Sequence, residues 1–165
     1  MFYLVGNAHI GSYTVQNIVT LIADGGEEMT GEQNLIREAY LARGNAYAPY
    51  SKFRVGAALL GKSGRIYRGC NIENASFGAG ICAERAAFAR AVSEGEMEFV
   101  AIAITGGEDS AESFHYCPPC GICRQVMREF CRPEFKIILE DTEKGMRCFS
   151  LGELLPESFG PDSLE

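Results

Sequence analysis

The chain has 165 residues, 47% hydrophobic and 22% charged, which suits one packed domain and excludes a disordered chain. Its formal net charge is -7 and it holds no Lys/Arg run. It therefore lacks the electrostatic footprint of a nucleic-acid binder, and a small molecule is the expected partner. Seven cysteines, an odd number, fit reduced cytoplasmic thiols better than a disulfide framework.

Residues 1–28 contain no Lys or Arg and so lack the positive start of a signal peptide. Asn7, His9, Gln16 and Asn17 interrupt their apolar stretch, which makes a poor membrane span. Thr30 followed by Gln33 reads as a capping box that opens a helix directly after Met29. Residues 1–28 are expected to be an upstream extension or an added strand-like segment without catalytic role, and residues 29–165 the functional domain.

The first helix takes Leu35, Ile36, Ala39, Tyr40 and Ala42 as its apolar face and ends near Gly44. After the irregular "YAPYSKF", the runs "FRVGAALL" and "RIYRGCNI" flank "GKSG" and predict a hairpin. An alanine-rich helix is expected from about Gly80 to Val92, then a buried strand at "FVAIAIT". A polar loop leads to Pro118 and Pro119, followed by a helix at "CGICRQVMREFC", a strand at "FKIILED" and a short helix at "SLGELLP". This order implies an α/β fold, a mixed sheet with helices on both faces.

The chemistry gathers at two of these helix starts. Cys120 and Cys123 are one helical turn apart, so both sulfurs can face one point. Cys82, at the start of the alanine-rich helix, can supply a third. Three protein ligands with a fourth position open is the pattern of a catalytic zinc site, and N-terminal helix dipoles favour thiolates there. Three thiolates on a divalent ion leave one negative charge, which Arg85, Arg124 or both are expected to offset. Glu84 is close enough to exchange a proton with water at the metal without being a ligand. Cys117 also forms a Cys-x-x-Cys pair with Cys120, but it precedes Pro119 and the helix and reads as a bystander; His115 reads as a loop histidine. Cys70, Cys131 and Cys148 read as core or partly buried thiols.

Cys-x-Glu followed by Pro-Cys-x-x-Cys matches the zinc deaminase signature. With "YAPYSKFRVGAALL", "GCNIENASFGAGICAERAAF", "PPCGICRQVMREF" and "ELLPESFGPDSL", residues 30–164 resemble the small cytidine deaminases. The resemblance implies a three-layer α/β/α sandwich with a mixed sheet of about five strands, and one zinc per subunit of a homotetramer. It implies deamination of cytidine and 2′-deoxycytidine in pyrimidine salvage. Cys82, Cys120 and Cys123 match the zinc ligands, Glu84 the proton shuttle and Arg85 the compensating arginine. Asn71 and Glu73 match residues that bind the ribose, and Phe53 a ring that packs on the nucleoside. The N–H of Ala83 would face the pyrimidine carbonyl and the carbonyl of Pro118 the leaving amine. Phe159 is similar to an aromatic that enters a neighbouring subunit's site. Phe77 departs from the family pattern, standing where a tyrosine is common. A deaminase of another amine substrate and a zinc-stabilised binding module are the alternatives.

Overall fold

The computed structural model describes residues 21–22, 28–108, 115–141 and 145–164. Two short strands, β1 (Leu21–Ile22) and β2 (Glu28–Met29), pair antiparallel. The rest of the expected extension lies outside the described residues. Helix α1 (Gly31–Arg43) begins with the expected reciprocal cap: Gln33 N–H donates to Thr30 Oγ1 (3.2 Å) and Thr30 N–H to Gln33 Oε1 (2.8 Å). Leu35, Ile36, Ala39 and Ala42 are buried, whereas Tyr40 is 51% exposed. At about 100° per residue, Tyr40 lies roughly a third of a turn from the centre of that stripe, beyond its edge.

The strands that follow are β3 (Phe53–Gly61), β4 (Ile66–Cys70), β5 (Phe99–Glu108), β6 (Lys136–Asp141) and β7 (Gly145–Ser150). They form one sheet in the order β4-β3-β5-β6-β7, parallel between β5 and β6 and antiparallel elsewhere. The expected hairpin joins β3 to β4, with Gly64 at φ +86° in its turn. β7 was not expected. Its run "GMRCFS" has no apolar alternation, because it is an edge strand whose Gly145, Met146 and Cys148 are exposed.

Residues alternate between the two faces of the sheet. Ala58, Ala101, Ala103 and Ile138 pack against Leu35, Ile36 and Ala39 of α1. Ala57, Leu59, Ile102, Ile104, Ile137 and Leu139 face the opposite layer. That layer contains α2 (Ala83–Ser93), α3 (Gly121–Phe130) and the short α4 (Leu151–Leu154). The result is the three-layer α/β/α sandwich.

Two glycines set how closely helices approach. A Cβ on Gly56 would overlap the α1 backbone at Ala39 and Arg43, and one on Gly69 the α2 backbone at Ala83 and Ala87. Gly69 thus seats the first turn of α2 directly on β4. Helix α2 starts later than Gly80 because Ile81 is extended, bridging Ile72. Among the described residues, no helix is long and apolar enough to cross a membrane.

Candidate active site

Cys82 is the N-cap of α2 and Cys120 the N-cap of α3; both have extended backbones, and neither uses its side chain as a cap. Their sulfurs are therefore free to point out from the two helix starts. Cys123, in the first turn of α3, completes the group. Cys82 Sγ lies 3.9 Å from Cys120 Sγ, and Cys120 Sγ lies 3.5 Å from Cys123 Sγ. All three sulfurs fall within 4.8 Å of one another. Tetrahedral zinc with Zn–S bonds near 2.3 Å requires sulfurs about 3.8 Å apart, so the cluster is already spaced for one zinc ion. Cys117 and His115 are not part of it.

Burial pushes the Cys82 and Cys123 thiols up, Cys82 despite the Arg85 guanidinium beside it. Burial also acts upward on Cys120, but the Cys123 and Ile122 N–H groups and the neighbouring thiols outweigh it and leave Cys120 lowered. A coordinating divalent metal deprotonates such thiols. Arg85 is placed to balance the surplus charge, since its Nη2 lies 3.9 Å from Cys82 Sγ and donates to Gly80 O at 3.2 Å. Its buried Nε has no protein partner, an unused donor beside the sulfurs.

Arg124, the other arginine named for charge balance, hydrogen-bonds to carbonyls. Its Nε donates to Pro119 O (2.7 Å) and its Nη1 to Leu154 O (2.6 Å). A guanidinium fixed on two carbonyls orients backbone, and Arg85 alone of the pair hydrogen-bonds to sulfur.

Glu84 is 4% exposed in the first turn of α2. Burial raises its carboxyl pKa, opposed by its own N–H, the Cys123 thiol and Arg85. A raised carboxyl pKa eases the return of a proton, as a carboxyl that acts as both base and acid requires.

Cys82, Glu84, Arg85 and Cys120 open onto a cleft of about 660 Å³, lined also by Asn71, Glu73, Ala83, Pro118 and Cys117. Glu73 Oε2 accepts from the N–H groups of Tyr50 (2.9 Å) and Ser51 (3.2 Å). The Ser51 side chain and the Tyr50 N–H hold this carboxyl below its ordinary range. Asn71 ties to β3, with Oδ1 accepting from Val55 N–H (2.8 Å) and Nδ2 donating to Phe53 O (2.9 Å). It keeps one further N–H. Ala83 is the first residue of α2, where a backbone N–H has no helical acceptor.

Phe53 is not among the cleft-lining residues; its ring packs 6.1 Å from that of His115, over Gly106. Val55, two residues along and on the same strand face, lines the cleft instead. That parity was readable in the sequence. The backbone donors of Tyr50 and Ser51 were not, since side-chain identity says nothing about an irregular loop's N–H directions. Cys117 lines the wall, its thiol pushed up to about 12 by burial. Phe77 stands at the cleft 84% exposed, its ring edge-on to Tyr50 at 6.3 Å. Phe159 is 62% exposed and lies outside the cleft of its own chain.

The model of the cytidine and deoxycytidylate deaminase zinc-binding region matches residues 29–139. A cytidine deaminase of Halalkalibacterium halodurans is 47% identical over 132 residues, covering 80% of this chain and 96% of that protein. One from Mycobacterium tuberculosis is 41% identical, covering 79% and 92%. The crystal structure of a Burkholderia pseudomallei cytidine deaminase superposes with a TM-score of 0.71 at 44% identity, covering 79% of this chain and all of that one.

Proposed function

Because the chain belongs to the cytidine and deoxycytidylate deaminase family, whose members share this zinc-binding region, we propose that it deaminates cytidine and 2′-deoxycytidine hydrolytically. The products are uridine or 2′-deoxyuridine and ammonia, a step of pyrimidine salvage. The observation that carries this reading is one cleft lined by Cys82 and Cys120 of the three-sulfur cluster, a buried Glu84 and a fixed Glu73 carboxylate. Among the described cleft-lining residues Arg85 is the only cation, and it is turned to Cys82. A lining so poor in cations favours an uncharged nucleoside over a nucleotide.

Cys82, Cys120 and Cys123 would hold zinc, which would supply a Lewis acid able to make water nucleophilic near neutral pH. Glu84 takes one proton from the attacking water and delivers it to N3 as the oxygen bonds to C4. It then takes the second proton from the C4 hydroxyl and delivers it to the amine as the C–N bond breaks, leaving the C4 carbonyl and ammonia, so one carboxyl serves as base and acid in turn. The Ala83 N–H donates to the pyrimidine carbonyl, and the Pro118 carbonyl accepts from the amine. Glu73 Oε1 and the remaining Asn71 N–H bind the ribose hydroxyls.

The working assembly is a homotetramer in which Phe159 of one subunit enters the cleft of another. The exposure of Phe159 and of Phe77 at the cleft supports this reading. Residues 1–28 form an extension outside the catalytic domain of residues 29–165, in keeping with a family match that begins at residue 29. Seven free cysteines favour the cytoplasm, and the acidic chain takes neither nucleic acid nor membrane as partner.

The test is ammonia release from cytidine by purified protein, with zinc measured on the same sample. Turnover with about one zinc per chain supports the reading. Full zinc without ammonia transfers the assignment to another amine substrate or to a structural metal.

A further inference from the structure

Arg124 joins two parts of the molecule that the reaction does not obviously connect. Its Nε holds the carbonyl of Pro119, the buried residue immediately before the ligand Cys120. Its Nη1 holds the carbonyl of Leu154, the last residue of α4, from which the chain continues into its C-terminal segment. A peptide unit is planar, so the oxygen of Pro119 and the nitrogen and Cα of Cys120 move together. Fixing that oxygen fixes the root of the Cys120 side chain, leaving only its χ1 rotation to aim the sulfur. The same bond holds the plane next to the Pro118 carbonyl.

We propose that Arg124 is a positioning residue, a brace that sets the Pro118–Pro119–Cys120 turn against the end of α4 and thereby fixes the sulfur geometry of the metal centre. This rests on the zinc reading of the site. One turn further along α3, Arg128 holds the same C-terminal segment without touching the metal turn: its Nε donates to Ser158 Oγ (3.1 Å) and its Nη2 pairs with Asp162. Arg128 is also the more buried of the two. The pair therefore separates aiming of the ligand from general attachment of the chain end.

The experiment compares Arg124→Gln with Arg128→Gln in the full chain, reading zinc release to a chromophoric chelator, the visible bands of the cobalt-substituted protein and Tm. Zinc content of the wild type is measured first; wild-type protein without zinc overturns the reading of the site, separately from the brace. With zinc present, Arg124→Gln is expected to release it about tenfold faster or more and to shift the cobalt bands, the range seen when outer partners of metal ligands are removed. Arg128→Gln is expected to lower Tm at least as much while releasing zinc at the wild-type rate with unshifted bands. Equal release by both variants, or wild-type release by Arg124→Gln, overturns the proposal. Should Arg124→Gln not fold, Arg124→Lys is read the same way, since an ammonium keeps the charge but cannot span both carbonyls.

Discussion

Gly69→Ala adds one methyl group at the place where the catalytic helix meets the sheet. The new Cβ would stand 2.9 Å from Ala87 Cα and closer still to the Ala83 oxygen and Ala87 nitrogen, where ordinary contact begins at 3.4 Å. All three atoms are backbone, so no side-chain rotation relieves the clash, and α2 must lift by about 1 Å in a close-packed interior. Overpacking of this kind costs about 1–3 kcal/mol. For a chain of this size that lowers Tm by roughly 2–12 °C. The larger effect is on chemistry, because α2 carries Cys82 and Glu84 while α3 carries the other two sulfurs. A displacement of about 1 Å between them lowers kcat about 100-fold. Gly56→Ala is the matched control: its Cβ would meet the backbone of α1, which carries no candidate site residue. It should lower Tm comparably yet leave kcat of the folded protein near wild type. Calorimetry and steady-state ammonia release on both variants decide the matter. Equal kcat losses, or a Gly69→Ala enzyme with wild-type kcat, would refute the idea that this contact positions the site.

Glu84→Ala should retain zinc and lose nearly all turnover; a tenth of wild-type activity would remove Glu84 from the proton path. Cys120→Ala should lose metal and activity together, and a zinc-replete, inactive variant would contradict its role as ligand. Hydrogen bonding from Arg128 is the main influence holding the Asp162 carboxyl below its ordinary range. A depressed folded pKa contributes stability above the unfolded value, and that contribution is lost as pH falls through the folded one. The Tm gap between wild type and Asp162→Asn should therefore be present at neutral pH and close in acid. A gap independent of pH would show that the pair is not the cause.

Much of the site was legible because its chemistry is ordered along the chain. The three clustered cysteines and Glu84 each follow from residue type, spacing and a helix start, and helix starts carry local signals. The Thr30–Gln33 box is one such signal. What the sequence left hidden was tertiary. Tyr40 fits the apolar count of its helix, but angular position relative to the sheet decides its exposure. Arg124 sits next to a ligand in sequence, yet on a helix adjacent residues diverge by about 100°, and it finds two carbonyls instead. β7 is recognisable mainly by the ladder it makes with β6, since an edge strand needs no buried alternation. Phe53 and Val55 share a face, and which of them reaches the cleft depends on where β5 and His115 lie.

The two cysteine N-caps set a conflict between folding and chemistry at the same positions. Serine at a helix start accepts a hydrogen bond from the first turn, and a good cap is worth about 1 kcal/mol. Neither Cys82 nor Cys120 closes a side-chain capping bond, although the Ile122 and Cys123 N–H groups favour the Cys120 thiolate. Serine at either position would give the helix a better start while removing a thiolate from the metal. Selection for stability alone would drive both positions away from cysteine, so the chain carries two poorly begun helices as a standing cost of its reactivity, in the manner expected where stability and activity trade against each other.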